Sequence, residues 1–185
     1  MKLTLLLVGL AITSNSLLVV AAQEPPPSAG QNSPSTRAVC PMHDMLVKGD
    51  GHAKMNVRGE AGMGFSQTAT THHFLLKLDG GVIQVEANDP KDTATRDEIR
   101  MHLAHITHSF AAGDFDIPMF VHDTVPPGVP EMKRLAAKIT YTLEQTPNGG
   151  CVRIHSDDAA AVNAIQQFLR FQVVEHQTKD PISLP

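Results

Sequence analysis

Two blocks of ordered hydrophobic pattern stand out along a chain that is otherwise polar or aperiodic. In the first, Thr71 to Leu78 alternates apolar and polar positions and predicts a strand. Asp79-Gly80-Gly81 predicts a turn, because glycine tolerates positive φ, and Val82 to Glu86 predicts the returning strand, which Asn88-Asp89-Pro90 ends. A helix is predicted over about Thr95 to Ala112 and is stopped by Gly113. Along it Ile99, Leu103, Ile106 and Phe110 recur at helical spacing as a single apolar stripe.

The second block repeats the first. Lys138 to Glu144 predicts a strand, Asn148-Gly149-Gly150 a turn, Cys151 to His155 a return strand, and Ala159 to about His176 a helix that Asp157 and Asp158 can cap. Val162, Ile165, Leu169 and Val173 form its stripe. Gly80-Gly81 corresponds to Gly149-Gly150, Ile83 to Val152, Val85 to Ile154, Asn88-Asp89 to Asp157-Asp158, and Leu103 to Leu169. The predicted fold is therefore α+β, with two tandem strand–strand–helix repeats forming a four-stranded antiparallel sheet with two helices on one face. Between the repeats, Asp114 to Pro130 is rich in proline and is expected as an ordered surface loop.

Ahead of the repeats the chain divides into three. Residues 1–22 read as a secretory signal: Lys2 precedes the apolar run from Leu5 to Ile12, and Val20-Ala21-Ala22 supplies small residues for cleavage, leaving Gln23 as the mature N-terminus. Thr13 to Ser16 interrupt the apolar run, so no stable membrane anchor is expected after cleavage. Residues 23–38 are a tether rich in Pro and Ser, unable to bury enough apolar surface to order themselves. Residues 39–64 carry Cys, Met and His with little periodicity and are expected to be loosely structured. The duplicated domain is expected over residues 65–185. Export makes the protein periplasmic or secreted, in an oxidising compartment where Cys40 and Cys151 can form a disulfide or Cys40 can stay free as a ligand.

Composition changes this picture in one respect. The net charge is −4 with no basic stripe, Trp is absent and there is one Tyr, which removes nucleic acid as a partner. Ten His and eight Met point instead to metal handling. On the first strand His72 alternates with Phe74, Leu76 and Leu78 and is expected to face the helices, whereas His73 and His155 are expected on the opposite face. On the first helix His102 borders the stripe and His105 follows at i+3, where the second helix carries Phe168 and Phe171. Imidazole in place of benzyl makes His102 and His105 the nucleus of an expected metal site. His72 would reach it from the sheet, and Met119 or His122 from the overlying loop. Imidazole with thioether suits copper, with zinc as the second choice. The ordinary alternative for each histidine is a hydrogen-bonded core or surface residue, and Met132 is expected to pack beside Leu135.

Cys40-Pro41-Met42-His43 forms a second soft donor set. It resembles the short Cys-Pro-Met-His motif of heavy-metal-binding segments in bacterial copper transport proteins, which implies that Cys40, Met42 and His43 bind metal; Val39 stands where that motif usually has an aromatic residue. The stretch from Met63 to Asp180 resembles a group of secreted bacterial proteins without an assigned activity, through Thr71-His72-His73-Phe74, Asn88-Asp89-Pro90, His102-Leu103-Ala104-His105-Ile106, Gly113-Asp114-Phe115 and Phe168-Leu169-Arg170-Phe171-Gln172. That resemblance implies the domain extent and no mechanism. No nucleophile elbow, phosphate loop or His-Glu-x-x-His helix is present. Three functions remain: an exported metal-binding protein that buffers, senses or delivers copper, an enzyme using a histidine as general base, and a non-catalytic partner-binding domain.

Overall fold

The computed structural model describes residues 41–184, with side chains from residue 51 onward, residue 52 excepted. The segments expected as signal sequence (residues 1–22) and tether (residues 23–38) and Cys40 lie outside the described residues, as do the side chains of Met42 and His43. The element order is α1 (Pro41–Met63), β1 (Thr70–Lys77), β2 (Gly80–Ala87), α2 (Thr93–Ala111), α3 (Asp116–His122), α4 (Val129–Arg134), a 3₁₀ turn (Ala136–Lys138), β3 (Thr140–Thr146), β4 (Gly149–His155) and α5 (Ala159–Glu175). The strands form one antiparallel sheet in the order β1-β2-β4-β3, with both repeat helices packed on it, so the expected α+β fold of two strand–strand–helix repeats is observed.

The two repeats meet about a pseudo-twofold axis. Ile83 on β2 pairs with Val152 on β4, its own counterpart, and the flanking pairs Gly81–Ile154 and Val85–Gly150 exchange under the same rotation. Each outer strand holds the same register to its neighbour, Phe74 pairing with Ile83 and Leu143 with Val152. Each helix crosses to the other repeat: α2 packs over β3 and β4, and α5 over β1 and β2. Leu169 of α5 fills the space above Gly81, and Leu103 of α2 fills the space above Gly150. Polar clasps repeat the exchange. Arg100 of α2 donates to the carbonyls of Thr146 (2.6 Å) and Gly149 (3.0 Å), and Gln166 of α5 donates to the carbonyl of Lys77 (2.9 Å). Both helices are capped by aspartate, Asp92 accepting from the Thr95 amide and Asp158 from the amides of Ala160 and Ala161.

The glycine pairs depart from expectation. The turns are the two residues Leu78-Asp79 and Pro147-Asn148, while Gly80-Gly81 and Gly149-Gly150 begin β2 and β4. Glycine is required here because β2 and β4 approach closely: a Cβ on Gly80 would strike the Ile154 carbonyl, and one on Gly149 the Val85 carbonyl. Leu78, expected on the core face, is consequently in the turn and 77 % exposed.

Two further differences lie outside the repeats. The segment expected to be loose contains the helix α1, which is closed by Gly64 in a left-handed conformation. Its inner face uses Met55, Gly59 and Met63, with Gly62 against the side chains of Val121 and Phe120, so the apolar periodicity is written in small and flexible residues and escapes a search for large aliphatic ones. The segment expected as a loop contains α3 and the start of α4. Arg58 of α1 donates to the Val121 carbonyl of α3 at 2.9 Å and fastens the two together.

Candidate functional site

The dyad is broken at one end of the sheet, and the break makes the site. On one side of the axis Phe110 of α2 meets Tyr141 of β3 edge to face, with ring centres 6.0 Å apart. The dyad-related positions on the other side are His176 and His72, whose imidazoles stack with centres 5.6 Å apart. His102 stands where α5 has Phe168, and its ring meets Phe65 edge to face. Over these residues α3 places His122, whose ring meets that of His176 edge to face at 5.1 Å.

A cavity of about 60 Å³ lies between these elements. His72 from the sheet, His102 from α2, His122 from α3 and His176 at the end of α5 line it, with Met63 from α1 and Gln172 from α5. The rest of the lining is aliphatic and aromatic, Phe74, Leu103 and Phe168 among it. Among the described residues, no carboxylate lines it. Burial holds the pKa of His72 down at about 4, with the neighbouring His73 adding to the effect. The same holds for His102, by burial first and then by His72 and His105. Both are neutral imidazoles at pH 7. Nε2 of His72 is buried without a hydrogen-bond partner.

His122 is oriented by its neighbours. Its Nε2 lies 2.9 Å from Oε1 of Gln172, and Nδ1 is buried without a hydrogen-bond partner, 3.8 Å from Oε2 of Glu175. The tautomer in which Nε2–H donates to the glutamine oxygen leaves the Nδ1 lone pair for a ligand, whereas the Nδ1–H tautomer points its proton at Glu175. Burial lowers the pKa of His122, against the opposing pull of Gln172 and Glu175.

The expected site residues separate as follows. His72, His102 and His122 share the cavity. His105 is exposed on α2 and lies outside it, and Met119 is half-buried on α3 but does not line it. The reason is angular: at about 100° per residue the stripe of α2 is centred roughly 70° from His102 and roughly 130° from His105. His176 and Gln172 were not expected in the site. The signal was present, since His176 occupies the place of Phe110 in the repeat. Met63 entered the expectations only within the aperiodic segment.

Elsewhere, His73 pairs with Asp180 at 2.9 Å and His155 with Asp79 at 3.0 Å, both on the face away from the helices, as their strand positions predict. Met132 is buried, as expected of a packing residue. Cys151 is a free thiol on β4, its pKa raised by burial and by Glu144 and Glu86. Among the described residues, no three His, Cys, Asp or Glu side chains are gathered closely enough to hold a metal ion as they stand. Neither a protein-family model, a curated protein nor a solved structure matches this chain.

Proposed function

We propose that this is an exported metal-binding protein, taking copper in preference to zinc, that buffers, senses or delivers the metal outside the cytoplasm. One observation carries the reading: four imidazoles from four elements, His72, His102, His122 and His176, line a single small cavity. A histidine buried in an apolar site usually satisfies its nitrogens on the protein, yet His72 and His122 each keep one buried nitrogen without a hydrogen-bond partner. Neutral imidazole is the form that binds copper or zinc, and no proton has to be displaced from His72 or His102 at pH 7. Turning of the side chains about χ1 and χ2 is needed to bring donors onto one ion. The Cys40-Pro41-Met42-His43 segment would be a second site.

The enzyme reading is less well supported by the same residues. A general base works best with a pKa near the working pH, and His72 and His102 at about 4 are weak bases. No helix among the described residues is long and apolar enough to cross a membrane.

Titration of the purified chain with copper and zinc tests the proposal, with His102→Phe/His122→Phe as the comparison, since phenylalanine occupies the position dyad-related to His102. One equivalent of tightly bound metal is expected at the cavity, and His102→Phe/His122→Phe is expected to weaken it. Unchanged stoichiometry and affinity in His102→Phe/His122→Phe would remove the cavity as a metal site. Export is tested by sequencing the N-terminus of the protein recovered outside the cytoplasm, where Gln23 is expected first.

A further inference from the structure

We infer that the cavity takes one monovalent soft cation, copper(I), on Nε2 of His72, Nδ1 of His122 and the thioether of Met63. This rests on the metal reading above and adds to it the oxidation state and the donor set.

Three observations lead there. First, the two unpartnered buried imidazole nitrogens among the described residues are those of His72 and His122, and both residues line the cavity. A buried polar atom left without a hydrogen-bond partner is costly, so these two, with Nε2 of Gln172 as a third in the same lining, mark the void as a place for a ligand. Second, the sulfur-bearing side chain in the lining is Met63, delivered by the last residue of α1. Thioether is a soft ligand and selects copper(I) over zinc or copper(II).

Third, the wall is neutral. Imidazoles, one thioether, one carboxamide and hydrocarbon surround the void. Outside the lining, the Glu175 carboxylate lies 3.8 Å from His122 Nδ1, and the Arg58 guanidinium acts on the same ring with the opposite sign. The cost of moving an ion out of water grows with the square of its charge, so a dication pays about four times what a monocation does in such a site. Zinc in a protein site also takes about four donors, whereas copper(I) is satisfied by about two or three. The described lining offers two imidazole nitrogens without a hydrogen-bond partner and one thioether, and no group of three His, Cys, Asp or Glu that could hold a metal ion. Donor count, donor softness and wall charge all favour copper(I).

The test is an anaerobic titration of the full chain carrying Cys40→Ser, Met42→Leu, His43→Gln, Met45→Leu, His52→Gln and Cys151→Ala, which removes the N-terminal donors ahead of Met55 and both thiols. Copper(I) competes against a chromophoric copper(I) chelator, with silver(I) as a redox-inert stand-in and zinc(II) and copper(II) alongside. One equivalent of copper(I) is expected, bound at least roughly a hundredfold more tightly than zinc. Met63→Leu is expected to lower copper(I) affinity by roughly tenfold or more and to leave zinc affinity unchanged. Because a variant can fail to fold, X-ray absorption at the copper edge of the loaded parent chain supplies a second readout, and a mixed nitrogen and sulfur shell is expected. Zinc or copper(II) binding as tight as copper(I), or a shell of nitrogen alone, overturns the copper(I) assignment and leaves the metal reading standing. Failure of every ion to bind overturns both.

Discussion

Gly81 and Gly150 show how much of this molecule is decided at single residues. They occupy dyad-related points on β2 and β4, and a leucine from the helix above fills the space a side chain would take at each. The two are not equally tight. A Cβ on Gly81 would lie 2.6 Å from the Leu75 carbonyl and collide with Leu169; on Gly150 it would lie 2.9 Å from the Glu144 carbonyl and 3.1 Å from Leu103. Overpacking of this kind costs roughly 1–3 kcal/mol. Gly81→Ala is therefore expected to destabilise the fold more than Gly150→Ala, as read from urea unfolding midpoints, and equal or reversed effects would contradict the packing described. The same scale holds the site: at each position the identity of one ring, His72 for Tyr141, His176 for Phe110, His102 for Phe168, converts an aromatic contact into imidazole.

At the scale of elements, the exchange of helices between repeats makes each hairpin depend on the other repeat's helix. Arg100 illustrates the dependence. Its guanidinium, on α2, satisfies two carbonyls at the β3–β4 end, at Thr146 and Gly149. Hydrogen bonds from a charged donor contribute roughly 1.5–3 kcal/mol each before the loss is softened by water reaching the freed carbonyls. Arg100→Met keeps the hydrocarbon stem and is expected to cost about 1–3 kcal/mol. Amide hydrogen exchange is expected to quicken around Thr146 to Gly149 while protection in β1 holds. Uniform loss of protection across both hairpins would show that the clasp acts globally. The element that roofs the site, α3, is held differently, by the Arg58–Val121 bond and by close approach to Gly62 of α1. Its His122 and the Met63 of α1 thus reach the cavity on elements that neither repeat contains.

For the whole molecule, burying neutral histidines ties stability to pH. In the unfolded chain these imidazoles titrate near 6.5, and in the fold His72 and His102 titrate at about 4. Between those values the unfolded chain holds more protons than the folded one, so stability falls as pH drops from about 6.5 to about 4 and the contribution levels off below. The expected loss is on the order of 2 kcal/mol for each of the two by pH 5, relative to pH 7. Urea midpoints measured on metal-free protein at pH 7 and pH 5 check this, and His102→Phe is expected to flatten the slope. Midpoints that do not move between the two pH values would mean that the rings are not held neutral by burial.

The duplicated pattern of alternation, stripe and glycine pair determines the strands, the helices and the α+β class, because each is set by which residues of a short segment can be buried together. His72 on the inner face of β1 and His102 beside the stripe were legible for the same reason, as was the outward direction of His73 and His155. Other features depend on contacts between segments far apart in the chain. That Gly80 and Gly149 start strands follows from the approach of β2 to β4. That α1 is a helix follows from a face of Gly and Met whose partners, α3 against Gly62 and Gln67 against Gly59, lie outside the segment. That His105 leaves the site while His176, Gln172 and Met63 enter it follows from the crossing of the helices over the opposite hairpins and the roof laid across them. A local pattern records which side of an element is buried; what that side meets is settled only when the two repeats close about their common axis.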